Sequence, residues 1–554
     1  MKLRIQNFRS LKDTGYVDIK PLTILVGKNS SGKSSFLRHF PMLKQSFEEK
    51  TRIPLLFYGR YIDFGSYKDI KPFYTDDDYK LGFSFIFDEK KLKKIFRYSI
   101  FRYDETLVNY FKNTEVNVEI SFFEDKRNLV HIKEIDINLF NSNIKLILNI
   151  ENNFIEDILI DNNSVLNLIK KSINELKDKR FNKFLDIFEE FDFLRKNRIN
   201  EIENFFRNFR YFERNGLLPE FYFFLKKEND ISYSRKIESL FDLLILAFII
   251  RYNRKNTSLY TIEIIKETIN VLDFDQSLIN ELLPKTWIKN IKNLNIDDKN
   301  RLYNLILLKN FFVLIPNIND YITEIYKKSS YIAPLRATAE RYYRIQHLSV
   351  DEVDPNGKNL PFFLDSLSDV QMKNFQKWTY DNFGFKVFIS KIEGHYSIKI
   401  EENNKLINLS DMGFGYSQIL PIIVQLWYSS FYEYRKYRIL NKISEKIIVI
   451  EQPELHLHPK FQALFAEVLV RIVNSSKHFD LKLIVETHSD IIINRIGDCI
   501  AYDQIDSDKV NIVIFNKEDE NDYSEIKEVN FNENGEIVDW PLGFFIPENR
   551  GCKK

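Results

Sequence analysis

Gly27-Lys28-Asn29-Ser30-Ser31-Gly32-Lys33-Ser34 decides how this chain is to be read. It satisfies the spacing G-x-x-x-x-G-K-[ST], follows the apolar run Pro21-Leu-Thr-Ile-Leu-Val-Gly27 that predicts a buried strand, and opens the helix-compatible stretch Ser35-Phe-Leu-Arg-His-Phe40. Strand, glycine turn and helix start are the three parts of a phosphate cradle. Gly27 and Gly32 let the backbone curl, so that amides of Asn29, Ser30, Ser31, Gly32, Lys33, Ser34 and Ser35 turn toward one anion, and the helix N-terminus adds positive potential. Lys33 then reaches the β and γ phosphates and the Ser34 hydroxyl ligates Mg²⁺, so the pattern predicts ATP with Mg²⁺.

The rest of such a site is expected far downstream. Lys446-Ile-Ile-Val-Ile-Glu451-Gln452-Pro453-Glu454 is an apolar strand that delivers acids to its C-terminal edge, where α/β sheets bind ligands. It reads as a Walker B strand, with Glu451 holding the Mg²⁺ directly or through water. Leu483-Ile-Val-Glu-Thr-His488-Ser489-Asp490 is a second apolar strand, ending in a histidine able to donate to a γ-phosphate. Leu409-Ser410-Asp-Met-Gly413-Phe-Gly415-Tyr-Ser417-Gln418 is a polar turn that opens the apolar helix Ile419 to Trp427. That is another helix N-terminus suited to an anion, although read alone these residues fit an ordinary capped helix start equally well.

Composition excludes several classes. Lys and Arg total 80 against 79 Asp and Glu, so no global field draws the chain to nucleic acid or to an anionic membrane, and any nucleic-acid site must be a local patch. Cys499 and Cys552 cannot build a disulfide framework, which fits a reducing cytoplasm. The start, Met1 to Ser10, alternates like a strand and lacks the apolar core of a signal peptide, and the longest apolar stretch, Leu243 to Ile250, falls far short of the ~20 residues of a membrane-spanning helix. A cytoplasmic protein with no membrane role is expected.

Four regions follow from the patterning. Residues 1–160 form an N-terminal lobe with the glycine turn and, from about 81 to 150, alternating segments such as Leu81-Gly-Phe-Ser-Phe-Ile-Phe87 and Asn117-Val-Glu-Ile-Ser-Phe122 that predict an antiparallel sheet. At Asp161-Asn-Asn-Ser164 a run of capping residues precedes apolar positions at helical spacing (Val165, Ile169, Ile173, Leu176, then Phe184, Phe188, Phe191, Leu194, Ile202, Phe205 and Phe209), so residues 161–329 read as a helical insertion. Strand signals return between 330 and 500 at Tyr331 to Leu335, Lys386 to Ile392, Tyr396 to Ile400, Lys446 to Ile450 and Lys482 to Val485, and once more at Val510 to Phe515 within a tail of residues 501–554. The expected class is α/β, a mixed sheet plus an antiparallel β subdomain split by the helical insertion.

The order of glycine turn, long insert, Ser/Gly turn, acidic strand and strand-end histidine resembles the ABC-type ATPase heads of the Smc, RecF and OLD group, over about residues 1 to 80 and 330 to 500. Glu451-Gln-Pro-Glu-Leu-His-Leu-His-Pro459, Ala333-Pro-Leu-Arg336, Asp63 to Asp69 and Gly535 to Phe545 are similar to the PtuA ATPases of Septu anti-phage systems, including retron-associated forms, with the PARIS ATPases as relatives by type. The resemblance implies a head-to-head dimer or higher oligomer, with ATP between the Gly27 to Ser34 turn of one chain and the Ser410 to Ser417 turn of another. It also implies a D-loop at Leu457-His458, a switch role for His488, and a Q-loop near Asp63 to Asp69, where this chain has no glutamine between Thr51 and Thr75. In Septu-like systems an HNH nuclease acts in trans; the tail here is too short for the Toprim nuclease of OLD relatives, so a Toprim effector would also be a separate subunit. DNA or a phage component is a further partner under this reading, and a RecF/Smc-like DNA-binding repair ATPase is the alternative. One departure matters. Hydrolysing ABC heads place a water-activating glutamate where this chain has Gln452, so slow turnover is expected, with Glu454 as the candidate substitute for the missing base.

Overall fold

The computed structural model describes residues 1–49, 55–72, 74, 80–87, 115–124, 130–139, 142–149, 154–165, 167–168, 209–212, 220–223, 295–346, 350, 352–433, 445–475, 480–517, 523–538 and 540. Two compact units result. One gathers Met1–Glu49, Leu55–Asp76 and Thr323–Lys554, and the other holds Lys50–Pro54 and Asp77–Ile322.

The first unit is built on a six-stranded sheet. In chain order its strands are β1 (Leu22–Gly27), β2 (Ser330–Ile332), β3 (Glu445–Glu451), β4 (Asp480–Glu486), β5 (Val510–Asn516) and β6 (Glu525–Val529). Their spatial order is β2-β3-β4-β1-β5-β6. The first five run parallel, and β6 pairs antiparallel with β5. Strands buried on both faces need no polar alternation, which is why β1, β3 and β4 read as nearly unbroken apolar runs. The register aligns Ile332, Ile450, Val485, Ile24 and Ile512 in one row across five strands. That row belongs to a core completed by residues of three helices, α2 (Phe414–Tyr428), α3 (Pro459–Ser475) and α4 (Asp490–Ala501), among them Ile422, Phe465, Leu469 and Ile496. Side chains alternate across a sheet, so the positions one step beyond Ile450 and Val485, namely Glu451 and Glu486, point to the opposite face, where α1 (Lys33–Glu48) meets them.

Helix α1 is buried almost all round. His39 is 0% exposed; its Nδ1 is bonded to the Phe36 carbonyl and its Nε2 lies 3.1 Å from the Tyr326 hydroxyl. That pairing makes Nδ1 the protonated nitrogen and Nε2 the acceptor.

The second unit contains an antiparallel meander of Lys80–Ile86, Glu115–Glu124, Val130–Leu139, Ser142–Asn149 and Phe154–Ile160, each strand paired with the next. The alternation read between residues 81 and 150 is thus a sheet. The following segment is refined at one point and corrected at another. Helix does begin at Val165 behind the capping run, but Asp161 and Asn162 take φ of 47° and 67° and first turn the chain into Asn163–Ser164, which pairs back onto Ile160 and Leu159. Asn and Asp tolerate the left-handed region, so residues suited to capping serve equally as a hairpin turn. Only Ser164 caps, its Oγ accepting the Asn167 amide at 3.4 Å. Phe209, read as the end of a helical stripe, lies instead in the strand Phe209–Phe212, which pairs with Glu220–Phe223 and, at Arg210, with Phe154. Aromatic residues favour strands, and a stripe with isolated apolar positions carries either period. The stripe positions Ile169 to Phe205 and the run Leu243 to Ile250 lie outside the described residues. Within residues 161–329 helical structure is described at Val165, Asn167 and Leu168 and over Ile296–Lys328. No helix among the described residues is long and apolar enough to cross a membrane.

Burial holds His39 neutral, its pKa lowered to about 3 against the bond to the Phe36 carbonyl. The unfolded chain takes up a proton below the ordinary value of about 6.5 that the fold refuses. Stability from this site is complete above pH 6.5 and is lost as the pH falls. Thermal midpoints measured from pH 7 to 4 are expected to fall more steeply for the wild type than for His39→Gln.

Candidate functional site

Strand β1 ends at Gly27, where a Cβ would sit 2.3 Å from the Phe515 carbonyl oxygen and 2.7 Å from Ser31 Oγ, so no side chain fits. Gly32 takes a φ of 89°, and a Cβ there would meet Leu11 and Ser10 at 2.8 Å. Between them Ser30 also lies in the left-handed region, with φ 61°. The loop therefore curls as the glycine spacing requires. Asn29 and Ser30 are exposed, while Ser31, Gly32 and Lys33 are buried. Gly32 caps α1 without a side chain, leaving the first-turn amides, including those of Ser34 and Ser35, to an incoming acceptor. Ser31 Oγ is fully buried and has no hydrogen-bond partner, an orphan polar atom inside the curl. Lys33 Nζ folds back onto the carbonyls of Gly27 at 2.9 Å and Lys28 at 2.7 Å. Burial lowers its pKa, opposed by the charges of Glu486 and Glu454.

Two carboxylates lie side by side beneath α1, because Glu451 and Glu486 are register partners on adjacent parallel strands. They are held differently. Glu451 is 1% exposed; its Oε1 accepts from Arg38 Nε at 2.9 Å and from the Tyr331 hydroxyl at 2.9 Å, and its Oε2 accepts from Arg38 Nη2 at 2.9 Å. Glu486, 2% exposed, accepts from Ser34 Oγ at 3.0 and 3.2 Å and lies 4.0 Å from Lys33 Nζ. Burial, and then the charge of Glu451, push the Glu486 carboxyl up to about 7. The hydroxyl expected to face a cation with Glu451 is thus bonded to a different acid.

Beyond Glu451 the chain leaves the sheet. Gln452 adopts a φ of 43°, its amide donates to the Glu486 carbonyl at 2.9 Å, and Arg336 Nη2 donates to the carbonyls of Glu451 at 2.7 Å and Gln452 at 3.3 Å. Arg336 is 6% exposed, with Nε and Nη1 bonded to nothing; burial lowers its pKa to about 10, opposed by Glu454. Glu454, the candidate substitute base, does not follow Gln452 along a strand, because the strand stops at Glu451. A turn returns it instead, and its oxygens accept from Thr487 Oγ1 at 2.9 Å and from the His488 amide at 2.7 Å. Glu454 thereby fixes the backbone that carries His488, whose ring is exposed beside the site. Partial burial, and then the charge of Lys33, keep that imidazole below its usual pKa.

The Ser410 to Ser417 turn follows a small antiparallel sheet. Asn408 at the end of its last strand accepts the Ser410 amide at 3.0 Å and the Ser410 hydroxyl at 2.9 Å. Gly413 starts α2 with a φ of 82°, Ser417 Oγ donates to the Phe414 carbonyl at 2.8 Å, and Arg341 pairs with Asp411. Gly415 packs against the loop after β3, where a Cβ would lie 3.1 Å from the His456 carbonyl. Leu457 of the expected D-loop is buried in the core and His458 is exposed. In the expected Q-loop region, Ser66 and Asp69 form a capping box on the short helix Tyr67–Ile70.

Sequence reasoning gave no role to Glu486, Arg38, Tyr331 or Arg336. Only Glu486 left a usable signal, an acid at the carboxyl end of an apolar strand. The cradle, the Ser31 orphan and the Ser34–Glu486 contact together suit phosphate on amides and a hard cation on oxygen. Removing Arg38 leaves the Glu451 carboxylate buried without a cation, so Arg38→Met should cost about 2 kcal/mol or more. Adding Glu451→Gln should recover part of that loss, read as the change in thermal midpoint across the double-mutant cycle.

The family model for the AAA ATPase domain matches residues 1–493. No curated protein matches the chain. Solved structures that align along most of its length include the Smc head bound to the C-winged helix domain of ScpA (10% identity, 96% of this chain and 98% of that one, TM-score 0.32). Others are an Smc head domain with an extended coiled coil bound to the C-terminal domain of ScpA derived from Pyrococcus furiosus (11% identity, 96% and 96%, TM-score 0.31) and the SMC head domain from Thermotoga maritima (10% identity, 95% and 97%, TM-score 0.32). With the family model spanning all but the last part of the sequence, the chain belongs to the AAA ATPase domain family.

Proposed function

We propose that the chain binds ATP with Mg²⁺ at the Gly27–Ser34 cradle, hydrolyses it slowly, and uses the bound nucleotide to join copies of itself. Bound Mg²⁺ supplies charge neutralisation on the phosphates. The chain's own residues do the rest: amides of the curl and of the start of α1 hold phosphate oxygens, Lys33 leaves the loop carbonyls for the β and γ phosphates, and His488 donates from the end of β4.

The observation that carries slow turnover is Gln452. Its backbone is stapled at the exit of β3 by Arg336 and the Glu486 carbonyl, and its side-chain amide can orient water but cannot take a proton. Glu454, the other candidate, is turned toward β4, where its two oxygens accept from the Thr487 hydroxyl and the His488 backbone amide. Support for assembly comes from the Ser410–Ser417 turn, whose internal bonds leave Phe414 60% exposed at the start of α2. The start of that helix is open to a second copy.

The resemblance of Glu451 to Pro459, Ala333 to Arg336 and their companions to Septu-type ATPases extends the reading to a cytoplasmic anti-phage subunit that governs a nuclease acting in trans. A RecF/Smc-like repair role is the competing outcome. Under the defence reading an HNH or Toprim subunit encoded beside this gene co-purifies with the wild type and is lost with Lys33→Ala. ATP-dependent, salt-sensitive affinity for duplex DNA would select the repair role instead.

Turnover gives the direct test. Purified wild-type protein is expected to hydrolyse ATP slowly, and Gln452→Glu to raise the rate by about tenfold or more by restoring a base. Rapid wild-type turnover that Glu454→Gln leaves unchanged would overturn the slow-hydrolysis reading.

A further inference from the structure

We propose that Glu486, at the end of β4, is the carboxylate that meets Mg²⁺ together with Ser34, and that Glu451 supports the site from behind through Arg38. The inference rests on the Mg²⁺·ATP reading above. Topology is its first ground. Strand β4 lies directly beside β1, whereas β3 is one strand further away, so Glu486 starts about 5 Å nearer the loop that follows β1 than Glu451 does.

Geometry is the second. Ser34 Oγ and Glu486 Oε2 are 3.0 Å apart. Adjacent oxygen ligands of an octahedral Mg²⁺ with bonds of 2.0–2.1 Å are separated by about 3 Å. The hydroxyl and the carboxylate therefore stand at the spacing of neighbouring ligands, and the two could hold a cation in exchange for the hydrogen bond between them. Both oxygens of Glu486 lie within 3.2 Å of that hydroxyl. The positive neighbour of this acid, Lys33, is 4.0 Å away on a side chain that phosphate would draw off, so Glu486 is left to pair with the cation.

Glu451 stands in the opposite condition. Arg38 engages both of its oxygens and Tyr331 takes a further bond, all on a side chain 1% exposed. Direct ligation by Glu451 would break a two-pronged guanidinium contact, the strongest kind of side-chain pair, and would leave Arg38 without its acid. As a pair, Arg38 and Glu451 instead hold α1, and so Ser34, over the end of β4. This arrangement also places a second buried acid next to Glu486, whose repulsion is relieved when a divalent cation arrives.

Binding of a fluorescent ATP analogue, titrated with Mg²⁺ and in EDTA, and Mn²⁺ binding followed by electron paramagnetic resonance separate the two acids. Glu486→Gln is expected to retain nucleotide binding in EDTA, to melt no lower than wild type because it removes a buried charge, and to lose about tenfold or more in Mg²⁺ enhancement and Mn²⁺ affinity. Glu451→Gln should lose less than about threefold in the same measurements. Glu486→Asp, which keeps the charge on a shorter arm, should fall between wild type and Glu486→Gln, and gives the same reading if the amide variant folds poorly. Wild-type cation binding by Glu486→Gln, with loss confined to Glu451→Gln, would overturn the assignment. A wild-type chain that binds no nucleotide with or without Mg²⁺ would instead bring down the nucleotide reading beneath it.

Discussion

The structure of the site depends on one register. Because β3 and β4 pair with Glu451 opposite Glu486, and because the preceding residues Ile450 and Val485 are committed to the core, two acids are forced onto the same face beneath the start of α1. Two like charges at 1% and 2% exposure repel, and burial alone disfavours each of them. They persist because α1 brings compensating groups at helical spacing: Lys33 and Ser34 to Glu486, and Arg38, one turn later, to Glu451. The helix whose first-turn amides are left open at its start is thus also the one that neutralises the acids behind it.

The same region shows how the chain is made to leave a strand. A strand continuing past Glu451 would carry Gln452 and Glu454 outward together. A left-handed residue at Gln452, pinned through its carbonyl by Arg336 and through its amide by the Glu486 carbonyl, sends the chain into a turn that folds Glu454 back onto Thr487 and His488. The exits of β3 and β4 are tied to each other by these bonds.

Much of the first unit was legible because burial leaves a direct mark on sequence. Strands β1, β3, β4 and β5 sit in the middle of a parallel sheet and appear as apolar runs, with ends within a residue or two of those read from the pattern. The antiparallel strands between Lys80 and Ile160 were legible through alternation. The turn at Asp161 and the strand at Phe209 were not, since Asp, Asn and aromatic residues serve helix caps, hairpins and strands alike, and pairing partners decide among them.

By itself the sequence determined the cradle, because two glycines at fixed spacing, a lysine and a serine between a buried strand and a helix admit few other conformations. It also placed Gln452 directly after Glu451, where the resemblance to ABC-type heads expects a base. Only the tertiary structure decided which acid faces Ser34. Glu451 and Glu486 each end an apolar strand, and nothing local distinguishes them; the difference comes from the order β3-β4-β1, which brings one beside the loop, and from Arg38 and Tyr331, which arrive from elsewhere in the chain to occupy the other. Contacts between residues hundreds of positions apart carry no periodic signal, so they emerge only when the sheet is assembled.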